Sequence, residues 1–234
     1  MHYMLPTGAL WAMNTVQVAQ NHILKRLEEQ GDSGNYCLIP LHHIPPRSGV
    51  ARWYRRTSFV ALRLAQYYLK DVKDRVLLVV ACLRDEGILL AKEAANVDVV
   101  QWNEDCYERV LIERTKDCCE GEVDVVIDFG TTSRSLHRSL QCLTKGGIVL
   151  ISSEVAERLV PKFSKRAEER QQTIKTVDVG SLEQLTQLVA LVASGEISPP
   201  PHTVFPAEQA REVIRKLCNS EIQGRAILRF HSID

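Results

Sequence analysis

Residues 123–152 read VDVVIDFGTTSRSLHRSLQCLTKGGIVLIS, and their pattern decides the fold. VDVVIDF (123–129), rich in β-branched residues, reads as a strand buried on both faces. Over 135–143, Leu136, Leu140 and Leu143 fall on one helical stripe. Gly146 and Gly147 are expected to stop that helix, and IVLIS (148–152) is the next buried strand. The order strand, helix, glycine turn, strand is the repeating unit of a parallel sheet covered by helices.

The same alternation extends in both directions. Upstream, RVLLVVAC (75–82) and VDVVQW (97–102) read as strands, with helices at 88–95 and 107–118. Earlier still come a helix at 14–29, a Gly31–Gly34 turn, a strand at 36–41 and an apolar helix face at 59–69. Segment 42–58 (HHIPPRSGVARWYRRTS) fits neither period and is read as an irregular basic loop. Downstream, the charged stretch 155–171 reads as a solvated helix or loop and 173–179 as a strand. Ser181 and Gln184 form a capping box that opens a helix closed at Gly195. A strand at 203–205, a helix from Pro206 and a strand at 224–230 finish the chain. The expected fold is α/β: a Rossmann-like doubly wound parallel sheet with a C-terminal strand–helix–strand appendage, divided as residues 1–198 and 199–234.

Composition narrows the function classes. Twenty-nine basic and twenty-nine acidic residues balance, so no global field draws the chain to nucleic acid or membrane. No apolar run reaches bilayer length, and the N-terminus lacks the pattern of a secretory leader. The seven cysteines contain no C-x-x-C pair, which suits reduced thiols and a cytoplasmic protein. No histidine pair has zinc-protease spacing, and no Walker loop or nucleophile elbow is present. In open sheets of this kind ligands lie beyond the carboxyl ends of the strands, where strand order reverses. The turns after Leu41, Cys82, Phe129 and Ser152 are therefore the places to look.

Four segments resemble the medium-chain dehydrogenase/reductase superfamily, of zinc-type alcohol dehydrogenase or quinone reductase kind. MLPTGALWAMNTV (4–16) resembles the helix that opens its cofactor domain. VLLVVACLRDEGILLAKEAANVDVVQW (76–102) resembles its second strand, helix and third strand. Residues 122–152 resemble its strand–helix–Gly-Gly–strand block, and HTVFPAEQAREVIRKLCNSEIQGRAILRF (202–230) its closing segment. The resemblance implies an NAD(P)-dependent oxidoreductase. It places Arg55 and Ser58 where the family's phosphate-binding glycines stand, so the glycine loop at 42–58 is degenerate, with Gly49 its one glycine. The resemblance places Cys82 where NAD-selective members carry an acid, with Arg84 just beyond, which favours NADP over NAD. It assigns Gly130, Thr131 and Ser152 to the nicotinamide pocket. Asp128, inside the fourth strand, is expected to serve structural hydrogen bonding.

The family's GroES-like catalytic domain is not represented, so no zinc is expected and the resemblance implies a truncated form with weak or no activity. The alternative is a non-enzymatic Rossmann-like interaction module, a homodimer paired through edge strand 173–179. A Rossmann-like methyltransferase is a third option. It too needs a glycine-rich first turn and an acid after the second strand.

Overall fold

A computed structural model describes residues 7–30, 35–41, 51–82, 97–103, 105–129, 132–199, 202–219, 221–222 and 225–230. The chain divides into two compact units, Met1–Ile197 and Ser198–Asp234.

In the first unit, helix α1 (Thr7–Gln30) precedes β1 (Asn35–Leu41), α2 (Ala51–Tyr68), β2 (Val76–Cys82) and β3 (Asp98–Gln101). Then follow α3 (Glu108–Cys118), β4 (Val123–Ile127), α4 (Ser133–Cys142), β5 (Leu143–Ser152), α5 (Ser153–Glu169), β6 (Thr173–Val177) and α6 (Leu182–Ala193). The six strands form one sheet in the order β3-β2-β1-β4-β5-β6. Every pairing is parallel, with Asn35 opposite Val76, Cys37 opposite Val125 and Ile148 opposite Thr173. This is the doubly wound order, with reversal between β1 and β4.

Two cores explain why the strands read as continuous apolar runs. On the α1–α2 side, Val76, Leu78, Val80 and Cys82 of β2 join Ile127 and Leu150 in packing with Ile23, Leu62 and Leu64. On the other side, Val79, Ala81, Val126, Val149 and Ile151 pack with Trp102, Leu136, Leu140 and Leu159. Neighbouring residues of one strand thus enter opposite cores, and each buried Val, Leu or Ile contributes roughly 1.5–3 kcal/mol.

Several boundaries differ from the sequence expectation. Helix α1 begins at Thr7 rather than at residue 14. Its first turns are held by tertiary contacts: the Trp11 indole donates to the Val177 carbonyl (2.8 Å) and meets the Phe129 ring edge-on at 5.0 Å. Helix α2 begins at Ala51, so Arg52, Arg55 and Arg56 stand on a helix and not in an irregular loop. Of the 155–171 stretch, read as helix or loop, the residues up to Glu169 are helical, as α5. The expected helix at 88–95 and the turn at 31–34 lie outside the described residues.

The glycine pair does not stop α4. That helix ends at Cys142, where Leu143 turns extended (φ −69°, ψ 140°), and both glycines lie within β5. Gly146 has φ +79°, and a Cβ there would lie 2.7 Å from the Arg26 guanidinium. The pair lets β5 pass close beneath α1, where Arg26 Nε lies 2.6 Å from Asp124 Oδ1. The capping box at Ser181 is present, with Gln184 N–H donating to Ser181 Oγ (3.2 Å) and Ser181 N–H to Gln184 Oε1 (2.8 Å).

The second unit is a strand–helix–strand: β7 (His202–Pro206), a 3₁₀ turn, α7 (Ala210–Cys218) and β8 (Arg225–Arg229). Its two strands pair in parallel, from His202 opposite Arg225 to Pro206 opposite Arg229.

Candidate functional site

The reversal of strand order opens the sheet's carboxyl edge between β1 and β4. The best-defined chemistry there follows β4. Asp128 is 2% exposed, and its N–H donates to the Leu150 carbonyl (2.9 Å), tying the end of β4 to β5. Its Oδ2 accepts from the hydroxyls of Ser135 and Ser139, each at 3.1 Å. Thr132 caps α4, its Oγ1 accepting from Ser135 N–H (3.1 Å). One carboxylate therefore holds the first turns of α4 against the strand that precedes it. The serines sit four apart, on one face of the helix. That spacing is the signal by which the pair is readable from sequence.

A second cluster lies beyond β3. Arg138 is 3% exposed and donates two bonds to Glu108, from Nε to Oε2 (2.8 Å) and from Nη2 to Oε1 (2.9 Å). Its guanidinium also lies 4.4 Å from the ring centroid of fully buried Trp102. Trp102 Nε1–H donates to Thr115 Oγ1 (2.9 Å), whose hydroxyl donates to the Leu111 carbonyl (2.7 Å). Arg134 pairs with Glu108 from the preceding turn of α4. Burial works to raise the Glu108 pKa, but the bonds from Arg138 and Arg134 outweigh it and hold the carboxyl below its usual range. Sequence reading missed this cluster, because its members come from α3, α4 and the residue that follows β3 and share no motif.

Of the residues expected at the cofactor site, Arg55 stands in the N-terminal part of α2. Ser58, farther along the same helix, is fully buried. Ser152 ends β5 and is half-buried at the carboxyl edge. Arg84, Gly130 and Thr131 lie outside the described residues. Cys82, at the end of β2, is 1% exposed and burial pushes its thiol up to about 12. It is an uncharged group at neutral pH. Cys142 is likewise pushed up to about 12 by burial. Among the described residues no group of His, Cys, Asp or Glu side chains has a metal-holding arrangement, and no helix is long and apolar enough to cross a membrane.

Two histidines make stability depend on pH. Burial, then the charge of Arg26, lowers the pKa of His22; burial, then the charge of Arg166, lowers that of His137. A lowered folded-state value means that the unfolded chain takes up protons first as pH falls below the ordinary 6.5. Stability is full above that pH and declines as pH drops through the folded-state values. Thermal midpoints measured across this window are expected to fall with acid, and the double variant His22→Gln, His137→Gln to show a flatter profile.

The strand order and this carboxyl edge define a Rossmann-like, doubly wound domain. The profile of the zinc-binding dehydrogenase family matches residues 105–228. The chain belongs to that family. Among solved structures it is similar to an NAD-dependent alcohol dehydrogenase (17% identity, TM-score 0.61), covering 97% of this chain and 57% of that one. It is also similar to a cobalt- and zinc-bound thermostable alcohol dehydrogenase from Pyrobaculum aerophilum (19%, TM-score 0.59; 97% and 56% covered). A third is L-idonate 5-dehydrogenase from Escherichia coli (15%, TM-score 0.59; 95% and 55% covered). The chain thus spans a little over half the length of these structures. No curated protein matches it.

Proposed function

We propose that this chain is the cofactor-binding part of an oxidoreductase of the alcohol dehydrogenase or quinone reductase type, taking NADP in preference to NAD. The observation that carries the reading is the reversal of strand order between β1 and β4, with an anchored helix start beyond β4. The nicotinamide group, when bound, supplies hydride chemistry. This chain's residues would bind and orient it: Gly130, Thr131 and Ser152 beside the nicotinamide, Arg55 of α2 for the pyrophosphate, Arg84 for a 2′-phosphate. Ser58, being buried, would support α2 from within. The neutral thiol of Cys82 supports NADP, since it stands where the resemblance places the acid of NAD-selective members. The link from β1 to α2, residues 42–50, contains Gly49 as its single glycine. That supports weak cofactor binding and weak turnover.

Titration with NADPH, followed by cofactor fluorescence, tests the reading. Saturable enhancement by millimolar cofactor, stronger with NADPH than NADH, is expected; no enhancement at that concentration sinks it. A second reading, an interaction module, is favoured by β6, an edge strand with Thr173, Lys175 and Thr176 exposed. Pairing of this edge across a two-fold axis would make a homodimer. Light scattering at the dimer mass, and at the monomer mass for Lys175→Pro, is its expected signature.

A further inference from the structure

Two arginines of α5 and its C-terminal end rest on neutral acceptors. Arg166 Nη1 lies 2.8 Å from His137 Nδ1. A guanidinium only donates, so the ring nitrogen accepts and the imidazole is neutral with its proton on Nε2. Arg170 donates from Nε to Gln172 Oε1 (3.2 Å) and from Nη1 to Gln141 Oε1 (3.5 Å). The neighbouring carboxylates are engaged elsewhere: Glu108 by Arg134 and Arg138, Glu113 by Arg109, and Glu122 by Lys116. Arg166, His137 and Gln141, the last holding Arg170 at its side, line an open groove of about 500 Å³ together with Ile112, Lys116 and Arg109. The carboxylates Glu108 and Glu113 also face it, each already paired with arginine.

We propose that this groove binds a small phosphate-bearing anion through Arg166, Arg170 and the Nε2–H of His137. Planar guanidinium donors suit phosphate oxygens and form short charge-assisted bonds with them. The two arginines, held by neutral groups rather than carboxylates, supply the positive potential that such a ligand needs. That potential acts on His137, whose pKa is lowered by burial and by Arg166, Arg138 and Arg170 against the opposing Glu108. A bound anion reverses the balance and raises it.

The test is titration of the full chain with pyrophosphate at constant ionic strength, followed by the ring-proton resonances of His137. Saturable binding is expected, with the His137 titration moved to higher pH. Arg166→Gln and Arg170→Gln are each expected to weaken binding by about tenfold or more, the loss of one charge-assisted bond, with the thermal midpoint unchanged. The proposal is overturned by no saturable binding at millimolar pyrophosphate, by native affinity in both variants, or by the same ring shifts with chloride alone. None of these outcomes depends on nicotinamide binding.

Discussion

Replacing Arg138 with alanine lowers the stability of the sheet unit by about 1.5–3 kcal/mol, the range for losing hydrogen bonds to a charged group, since the partner left behind, Glu108, is only partly buried. Two losses combine. Glu108 gives up its two-pronged partner and keeps Arg134, whose side chain is half exposed. The face of Trp102 loses the guanidinium that covers it, leaving space beside a fully buried indole. A change of this size moves the thermal midpoint by roughly 3–12 °C in a domain of this length. Arg138→Met separates the contributions: it restores apolar cover over the indole without the charge, so it is expected to recover part of the loss. Arg109→Ala removes the exposed pair with Glu113 and is expected to leave the midpoint unchanged. Equal midpoints for Arg138→Ala and the native chain in thermal and urea unfolding would refute the buried role.

Asp128→Ala has the second large effect, about 2–4 kcal/mol, from the lost bonds to a charged acceptor and from buried hydroxyls left short of partners. Ser139 loses its carboxylate acceptor, while Ser135 keeps the Thr132 carbonyl at 3.1 Å. Asp128→Asn retains an acceptor oxygen at the same place, so a smaller loss is expected. The two variants also divide structure from function. If the anchored start of α4 positions the nicotinamide pocket, Asp128→Asn weakens NADPH binding by more than its stability loss accounts for. Calorimetric unfolding together with cofactor titration of the same preparations gives both quantities.

Much of the fold was legible because burial on both faces leaves a local trace. The runs at 76–82, 125–127 and 148–151 are apolar at consecutive positions, since successive side chains enter the two cores. The capping box at Ser181 was legible because its donor and acceptor lie three residues apart. Boundaries set by distant partners were not. The start of α1 depends on Trp11 meeting Val177 and Phe129, and the place of Gly146 depends on Arg26 of α1.

The sequence by itself determined the alternation of strands and helices, the resemblance to dehydrogenases and the lack of a glycine fingerprint after β1. These are read from neighbours along the chain, where period, spacing and residue type suffice. Only the tertiary structure decided that Asp128 is held by Ser135 and Ser139, that Arg138 lies between Glu108 and Trp102, and that Arg166 rests on a neutral histidine. Those pairings join side chains from different elements. The first two form because packing helices on a twisted sheet removes Asp128 and Arg138 from water and obliges each to find a partner, whatever its distance in sequence.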